Sequence, residues 1–417
     1  MSDVLNVHYQ QHLVGQITLA EAAALKFEYS ASWQKWDGRF PISLSLPLDA
    51  ALKDSVGHHF FGNLLPEGNV HEQICRALKV SANNDFELLK AIGGDCAGAL
   101  TTTPSNVCPS DVWSPRYERI SEQQLEEWSI GTPGVFSEVT GRGEIRLSLA
   151  GAQDKLPVHV EGDEISIPLG NTPSTHILKF ASPHYAHLPE NETFVTMLAH
   201  EVGLPVTDVS IRKTARGAMT LITRYDRHDV SGRCIRLHQE DFCQALAIHA
   251  SRKYEKEGGP SLKQCAQIVR RHASYPLADL QRLLQWTLFN LLAGNADAHG
   301  KNLSLLYDLK GSPSLAPFYD LVCTHNYKKL SREMAMRLGG ATDPYLVTMK
   351  HFAQLATDFG FRANIVVDQL SELADRLKES LPVASDKYRQ RFGDSPILTR
   401  IPTIVRKLIR RVQSQLK

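Results

Sequence analysis

Apolar and polar residues roughly alternate over Val14–Thr18, Leu25–Tyr29 and Ile42–Leu46, a period that predicts three short strands. The spacing then lengthens to that of a helix from about Glu67 to Leu78, with a shorter helix around Phe86–Ile92. Gly93-Gly94 stops that helix, and Ala97–Thr102 reads as a returning strand. Thr103 to Pro115 holds three prolines and several small polar residues, which marks a domain boundary. Ser121-x-x-Gln124 has the form of a capping box at the start of a helix. From Glu144 to His238 the pattern is mainly β, with strands at Ile145–Leu149, Leu156–Val160, Ile165–Pro168, His176–Phe180, Val209–Arg212, Met219–Arg224 and Cys234–Leu237. A hairpin turns at Gly162-Asp163, and a helix from Pro189 to Val202 interrupts the run before Gly203-x-Pro205. Beyond Glu240 the chain reads as helical, apart from a β-like segment at Leu303–Asp308. The last helix, Ile404–Leu416, aligns Val405, Leu408, Ile409, Val412 and Leu416 on one face and carries Arg406, Lys407, Arg410 and Arg411 elsewhere. That basic face reads as solvated, with a nucleic-acid or acidic-partner contact as the other reading. No internal repeat is present.

Composition narrows the function classes. At 417 residues the chain is long enough for two or three domains, and its 42% hydrophobic content is that of a globular protein. Lysine and arginine number 46 against 45 acids, a balance that offers no general attraction to nucleic acid or membrane. The seven cysteines are widely spaced and form no C-x-x-C, so they point to reduced thiols rather than to a disulfide framework or a zinc site. Met1 to His12 lacks a basic segment followed by an apolar run, and the apolar stretch Leu283–Leu292 is too short to span a bilayer. These features predict a soluble, cytoplasmic protein with no membrane partner.

Four motifs carry candidate chemistry. Asn295-Ala-Asp297-Ala-His299-Gly-Lys301-Asn302 follows the apolar helix and sets Asp297 and Asn302 at the D-x-x-x-x-N spacing of a kinase catalytic loop. Such a loop presents a carboxylate to a substrate hydroxyl while an amide oxygen reaches a metal, and Lys301 could offset phosphoryl charge. Pro317-Phe-Tyr-Asp320 supplies a second candidate metal ligand in an apolar setting. Lys179 sits in the apolar strand His176–Phe180, and Glu192 in the following helix could pair with it; an edge-strand lysine facing water is the competing reading. Ser148-Leu-Ala-Gly151-Ala-Gln-Asp-Lys155, between two strands, could bring backbone N–H groups to phosphate oxygens, although it fits neither the Walker nor the Rossmann pattern. Phosphate loop, lysine, helix glutamate, Asp…Asn and Asp is the chain order that protein and lipid kinases use.

Six segments together resemble successive motifs of the HipA kinases, the toxins of HipBA-type toxin–antitoxin systems. They are Arg146–Lys155, Thr172–Lys179, Arg224–Arg227, Gln239–Gln244, Asp297–Asn302 and Pro317–Asp320. Pro41–Pro47, Phe61–Pro66 and Ile92–Gly98 extend the resemblance toward the N-terminus. The resemblance implies an α+β, two-lobed protein-kinase-like fold. Its parts would be an N-terminal subdomain over 1–108, a linker over 109–120, a kinase N-lobe over 121–240 and an all-helical C-lobe over 241–417.

It further implies a serine/threonine-protein kinase using ATP and Mg²⁺, with Asp297 catalytic and Asn302 and Asp320 as metal ligands. Leu149, Ala150, Gly151, Ala152, Gln153, Asp154 and Lys155 would form the phosphate loop, and Lys179 would hold the ATP phosphates. Thr223, Arg224 and Tyr225 would form the adenine hinge, with Asp226 near the ribose, and Gln239 and His299 would be further active-site groups. Thr223 stands where the family often has Glu, but a hinge contacts adenine mostly through its backbone. Ser148 matches the serine that family members autophosphorylate, a modification that displaces the phosphate loop. A HipB-like DNA-binding antitoxin, with DNA reached only through it, and glutamyl-tRNA synthetase as substrate are the partners the resemblance implies. A kinase-like corepressor acting mainly by binding, and a lipid or small-molecule kinase, are the alternative readings.

Overall fold

The computed structural model describes residues 4–20, 24–49, 53–107, 115–141, 145–151 and 153–415. The chain forms two compact units. The first comprises Met1–Phe180, Lys213–Ser251 and Leu306–Ser312; the second comprises Ala181–Arg212, Arg252–Leu305 and Pro313–Lys417.

The first unit begins with an antiparallel sheet in the order Leu25–Tyr29, His12–Leu19, Leu5–Tyr9, Leu100–Pro104. Val7, Val14, Ile17 and Leu25 are fully buried within it. The strand Leu100–Pro104 is buried although it reads Leu-Thr-Thr-Thr-Pro, because its hydroxyls find partners. Thr102 Oγ1 donates to Leu89 O at 3.0 Å and Thr101 Oγ1 to Gly94 O at 3.2 Å. The Gly93-Gly94 stop has a packing cause as well, since a Cβ on Gly93 would lie 1.8 Å from Thr102 Oγ1.

Ile42–Leu46 is a turn with one Ser43–Leu46 bridge rather than the strand its alternation predicts. Ser43 and Ser45 direct their hydroxyls to Glu240 and to Gln244 O, which a strand ladder would not allow. The helices Ala31–Lys35, Asp54–Gly62 and Val135–Thr140, absent from the sequence reading, are short and weakly periodic. Ile145–Leu149 also lacks a ladder and is held by isolated bridges of Ile145 to Gly170 and Leu147 to Asp95.

Five further strands of this unit run in the order Tyr117–Arg119, Glu164–Pro168, Lys155–Glu161, His176–Lys179, Ala218–Thr223. His176–Lys179 pairs on both sides, so Lys179 belongs to a central strand and the edge-strand reading fails.

The second unit is helical apart from short strands. The largely buried helix Pro276–Ala293 packs against Leu262–His272, Ala363–Phe392 and Ile397–Gln413. In Ile397–Gln413, Val405, Leu408, Ile409 and Val412 are buried as the periodicity predicts, while Leu416 lies outside the described residues. Ala152 and Cys108 also lie outside them. The six described cysteines are free. Among the described residues no helix is long and apolar enough to cross a membrane.

Candidate active site

The catalytic-loop candidate grows out of the end of the helix Pro276–Ala293. Gly294 takes the left-handed conformation (φ 72°) that ends the helix, and a web of short polar contacts then fixes the loop. Asn295 Nδ2 donates to Asn290 Oδ1 at 2.8 Å, and Asn295 Oδ1 accepts from Asp297 N at 3.1 Å. Thr324 Oγ1 accepts from Ala296 N at 2.8 Å. The exposed carboxylate of Asp297 accepts from the Tyr254 hydroxyl at 2.8 Å, and the Tyr254 ring meets His299 edge-on at 5.4 Å. Tyr254 is a site residue that sequence reading missed, since a lone tyrosine 43 positions upstream carries no spacing signal.

Asn302, in the 3-10 turn Gly300–Asn302, donates its amide nitrogen to Asp297 O at 3.0 Å. The segment carrying Asp320 is stapled to this one, because Tyr319 donates to Lys301 O at 2.8 Å and its hydroxyl lies 2.7 Å from Ser304 Oγ. On the other side Phe318 is buried, and its backbone bonds to Pro205 O (2.8 Å) and Thr207 N (3.0 Å). Asp320 itself has φ 60°, a left-handed conformation that is uncommon for a residue with a side chain and clusters at functional sites. The Asn302 amide oxygen and the half-buried Asp320 carboxylate, on adjoining segments, are hard oxygen donors of the type magnesium takes.

In the first unit, Lys155 and Lys179 face each other directly across two antiparallel strands. Cross-strand partners share one face of a sheet, so two cationic side chains rise side by side. Gly151, at φ 113°, begins the turn into Lys155, and a Cβ there would lie 2.8 Å from Lys155 Nζ. Gly151 O accepts from Glu67 N at 3.0 Å, and Gln153 Nε2 donates to Phe180 O at 3.2 Å. Ser148 is fully buried, with its hydroxyl donating to Leu64 O at 2.7 Å.

Asp154 does not face a phosphate site. Its carboxylate accepts from the backbone N–H groups of Gly134 (2.9 Å), Val135 (3.1 Å) and Phe136 (3.2 Å).

The hinge expectation also changes for its charged members. Arg224 and Asp226 are buried and pair at 2.7 Å, and Asp226 further accepts from Gly98 N at 2.7 Å. Asp226 therefore serves as a counter-ion to Arg224 and Arg227, with no open face for a ribose. Asp95 completes this cluster. It is fully buried, bonds Ser174 Oγ at 2.7 Å, and meets Arg227 at 2.7 Å, Arg236 at 3.0 Å and Arg224 at 3.3 Å. Burial alone would raise its pKa, but the three guanidiniums overcome that and hold it well below the ordinary carboxylate range. Tyr225 donates its hydroxyl to Gln239 Oε1, so two expected site residues meet. Thr223 ends its strand with an exposed side chain. In the second unit, Glu192 is buried in the helix Leu188–Glu201, one residue further from its start than the sequence places it.

A strand lysine beside a glycine turn in one unit, and an Asp…Asn loop stapled to a second aspartate in the other, are consistent with a protein-kinase-like fold. The HipA-like C-terminal domain profile matches residues 147–381 and the HipA N-terminal domain profile matches residues 5–103, so the chain belongs to the HipA family. It is 38% identical over 401 residues to "Putative kinase Y4mE" of Sinorhizobium fredii, covering 94% of each chain. It is 32% identical over 393 residues to the serine/threonine-protein kinase toxin HipA of Shewanella oneidensis, covering 90% of this chain and 88% of that one. Its fold matches HipA from the Shewanella oneidensis complex of HipA, HipB and operator DNA. The TM-score is 0.85 at 29% identity, over 98% of this chain and 97% of that one.

Proposed function

We propose that this HipA-family chain transfers the γ-phosphate of ATP to serine or threonine hydroxyls of proteins, autophosphorylates on Ser148, and acts as the toxin of a HipBA-like module. The observation that carries the reading is the locked loop: Asn302 bonded to Asp297 O, Tyr254 holding the Asp297 carboxylate, and Tyr319 tying in the Asp320 segment. Asp297 would take the proton of the attacking hydroxyl through its carboxylate. Asn302 and Asp320 would hold Mg²⁺, which when bound neutralises phosphate charge. Lys155 and Lys179 would bind the phosphates from the sheet.

Ser148 must leave its buried seat to be phosphorylated. Once it carries roughly −1.5 to −2 charges it would not return beneath Leu64 O, which keeps the loop out. The proposed partner is a HipB-like antitoxin that contacts DNA on the chain's behalf, and the proposed substrate class is a translation-related protein such as glutamyl-tRNA synthetase. The family match and the likeness to HipA from a complex with HipB support the antitoxin partner; the substrate is what the resemblance to the HipA kinases implies.

The test is phosphate transfer by the purified full chain with labelled ATP and Mg²⁺, followed by phosphoproteomics of cells expressing wild type or Asp297→Asn. Wild type labels itself at Ser148 and adds phosphate to glutamyl-tRNA synthetase, and Asp297→Asn, with unchanged circular dichroism, does neither. Equal labelling by the variant would reject the role of Asp297, and unmodified synthetase would reject that substrate.

A further inference from the structure

Away from these groups, two helices of the first unit and the turn after Phe242–Ala245 bring together His58, Asp85 and His249. One ligand atom from each lies within 4.8 Å of the others. His58 projects from Asp54–Gly62, and its Nδ1 is buried without a hydrogen-bond partner 3.9 Å from Asp85 Oδ2. Asp85 opens the helix Asp85–Ile92. Its other oxygen, Oδ1, lies 3.9 Å from Nε2 of His71, which stands on Gly68–Leu78. His249 stacks on His58 at 5.6 Å and 15°. A Cβ built on Gly62 would be 3.5 Å from Asp85 Oδ2 and 3.7 Å from His249 Nε2, so both atoms face the same small space.

The approach of His249 is built rather than incidental. Ala247 adopts φ 53°, a conformation that favours glycine, to turn the chain back. His59 Nδ1 then meets Ala247 O at 2.7 Å, and Asn63 Nδ2 donates to Ile248 O at 2.8 Å, fastening the turn to the helix that bears His58.

We infer that His58, Asp85 and His249 form a binding site for a borderline divalent cation, Zn²⁺, that clasps the turn before Ala250–Arg252 to the helices Asp54–Gly62 and Asp85–Ile92. Two imidazoles and one carboxylate are the donor set zinc takes with a fourth position open. Bonds of 2.0–2.1 Å space tetrahedral ligand atoms roughly 3.3 Å apart, so side-chain rotations must close gaps of 3.9 Å between His58 and Asp85 and of at most 4.8 Å elsewhere. Ser251 donates its backbone N–H to Nδ1 of His249 at 3.2 Å, and its hydroxyl lies 2.9 Å from the same atom. Zinc on Nε2 would shift the ring proton to Nδ1, which would exchange the backbone bond for one in which Nδ1–H donates to the Ser251 hydroxyl. His71 would orient the carboxylate from outside, as partners of metal ligands do. The site does not depend on the kinase reading and stands or falls separately from it.

The test is titration of the chelator-stripped full chain with Zn²⁺ against a chromophoric competitor, in excess Mg²⁺ so that hard oxygen sites are filled. Thermal melting and the visible absorption of the Co²⁺ form are read in parallel. Wild type should bind one Zn²⁺ per chain, melt higher with it, and give a four-coordinate Co²⁺ spectrum. His249→Ala and His58→Gln should each weaken Zn²⁺ about tenfold or more and lose the melting shift. His200→Ala, exposed and elsewhere, should change nothing. If His249→Ala does not fold, His58→Gln decides alone. Zinc affinity and Co²⁺ spectra equal in wild type and these variants, or no zinc uptake by wild type, would overturn the site.

Discussion

Replacing Asp95 by asparagine keeps the side chain's shape and removes one charge from the most deeply buried ionic cluster of the first unit. Asp95 is fully buried among Arg224, Arg227 and Arg236, with Asp226 as the second carboxylate. Three cations against two anions leave one net positive charge, and Asp95→Asn leaves two. At an effective dielectric constant of about 20, a unit pair at 4 Å is worth about 4 kcal/mol, and Asp95 meets three guanidiniums at 2.7–3.3 Å. Part of that is returned when the carboxylate no longer has to be desolvated, and breaking a buried pair from one side costs about 3–5 kcal/mol net. At roughly 2–4 °C per kcal/mol the unit should melt about 6–20 °C lower.

The assay is urea and thermal unfolding followed by tryptophan fluorescence, which Trp33, Trp36 and Trp128 report from this unit. The pH dependence is a second check. A depressed folded-state pKa contributes stability that is present above the unfolded carboxylate value of about 3.9 and is lost as pH falls below it. The variant should therefore show a flatter acid limb. A loss below about 1 kcal/mol, or an unchanged acid limb, would refute the view that this cluster holds the unit together.

Tyr254→Phe removes the hydroxyl that holds Asp297 and should lower kcat about tenfold, the worth of one hydrogen bond to a charged group, with KM for ATP unchanged. Steady-state kinetics check this, and a change confined to KM would contradict it. Ser148→Glu sets a carboxylate against Leu64 O in a closed pocket and should weaken binding of a fluorescent ATP analogue about tenfold or more, whereas Ser148→Ala should bind normally and lose self-modification. Wild-type affinity in the glutamate variant would sink the loop argument. Glu240 is fully buried, and burial pushes its pKa up to about 7 despite hydrogen bonds from Ser43, Leu44 and Tyr307. The folded state then holds a proton that the unfolded state releases, so stability should fall by up to about 3 kcal/mol as pH rises from about 4.5 to 7. Glu240→Gln should flatten the melting temperature over that window, and parallel curves would count against a raised pKa.

Strongly periodic elements were legible in the chain. Gly68–Leu78, Asp85–Ile92 and Ile397–Gln413 start or end within a few residues of where spacing puts them, except that the last begins seven residues earlier. Ile42–Leu46 was misread because alternation of small hydroxyl residues with leucine fits a strand, while the partners that decide otherwise, Glu240 and Gln244, lie about 200 positions away. The hinge and ribose roles of Arg224 and Asp226 came from the family resemblance alone, and nothing local foretells their burial, which the arrival of Asp95 and Gly98 from a distant turn makes tolerable.

The groups expected to perform chemistry were the easier ones to find, because phosphoryl transfer restricts them to lysine, carboxylate and amide in a set order. The groups that aim them were not, and backbone conformation shows why. Three turns in the left-handed region sit at three of the four motifs: Gly151 at φ 113°, Gly294 at 72° and Asp320 at 60°. Two are glycines, and each is visible in the sequence as a break before a functional residue. Asp320 adopts the same conformation with a side chain, at a cost of order 1–3 kcal/mol that its neighbours must offset. The Tyr319 hydroxyl on Lys301 O and the backbone bonds of Phe318 to the 205–207 segment are what offset it. A glycine at 320 would relieve the strain and lose the carboxylate, so the residue is better explained by what its side chain does than by how its backbone folds.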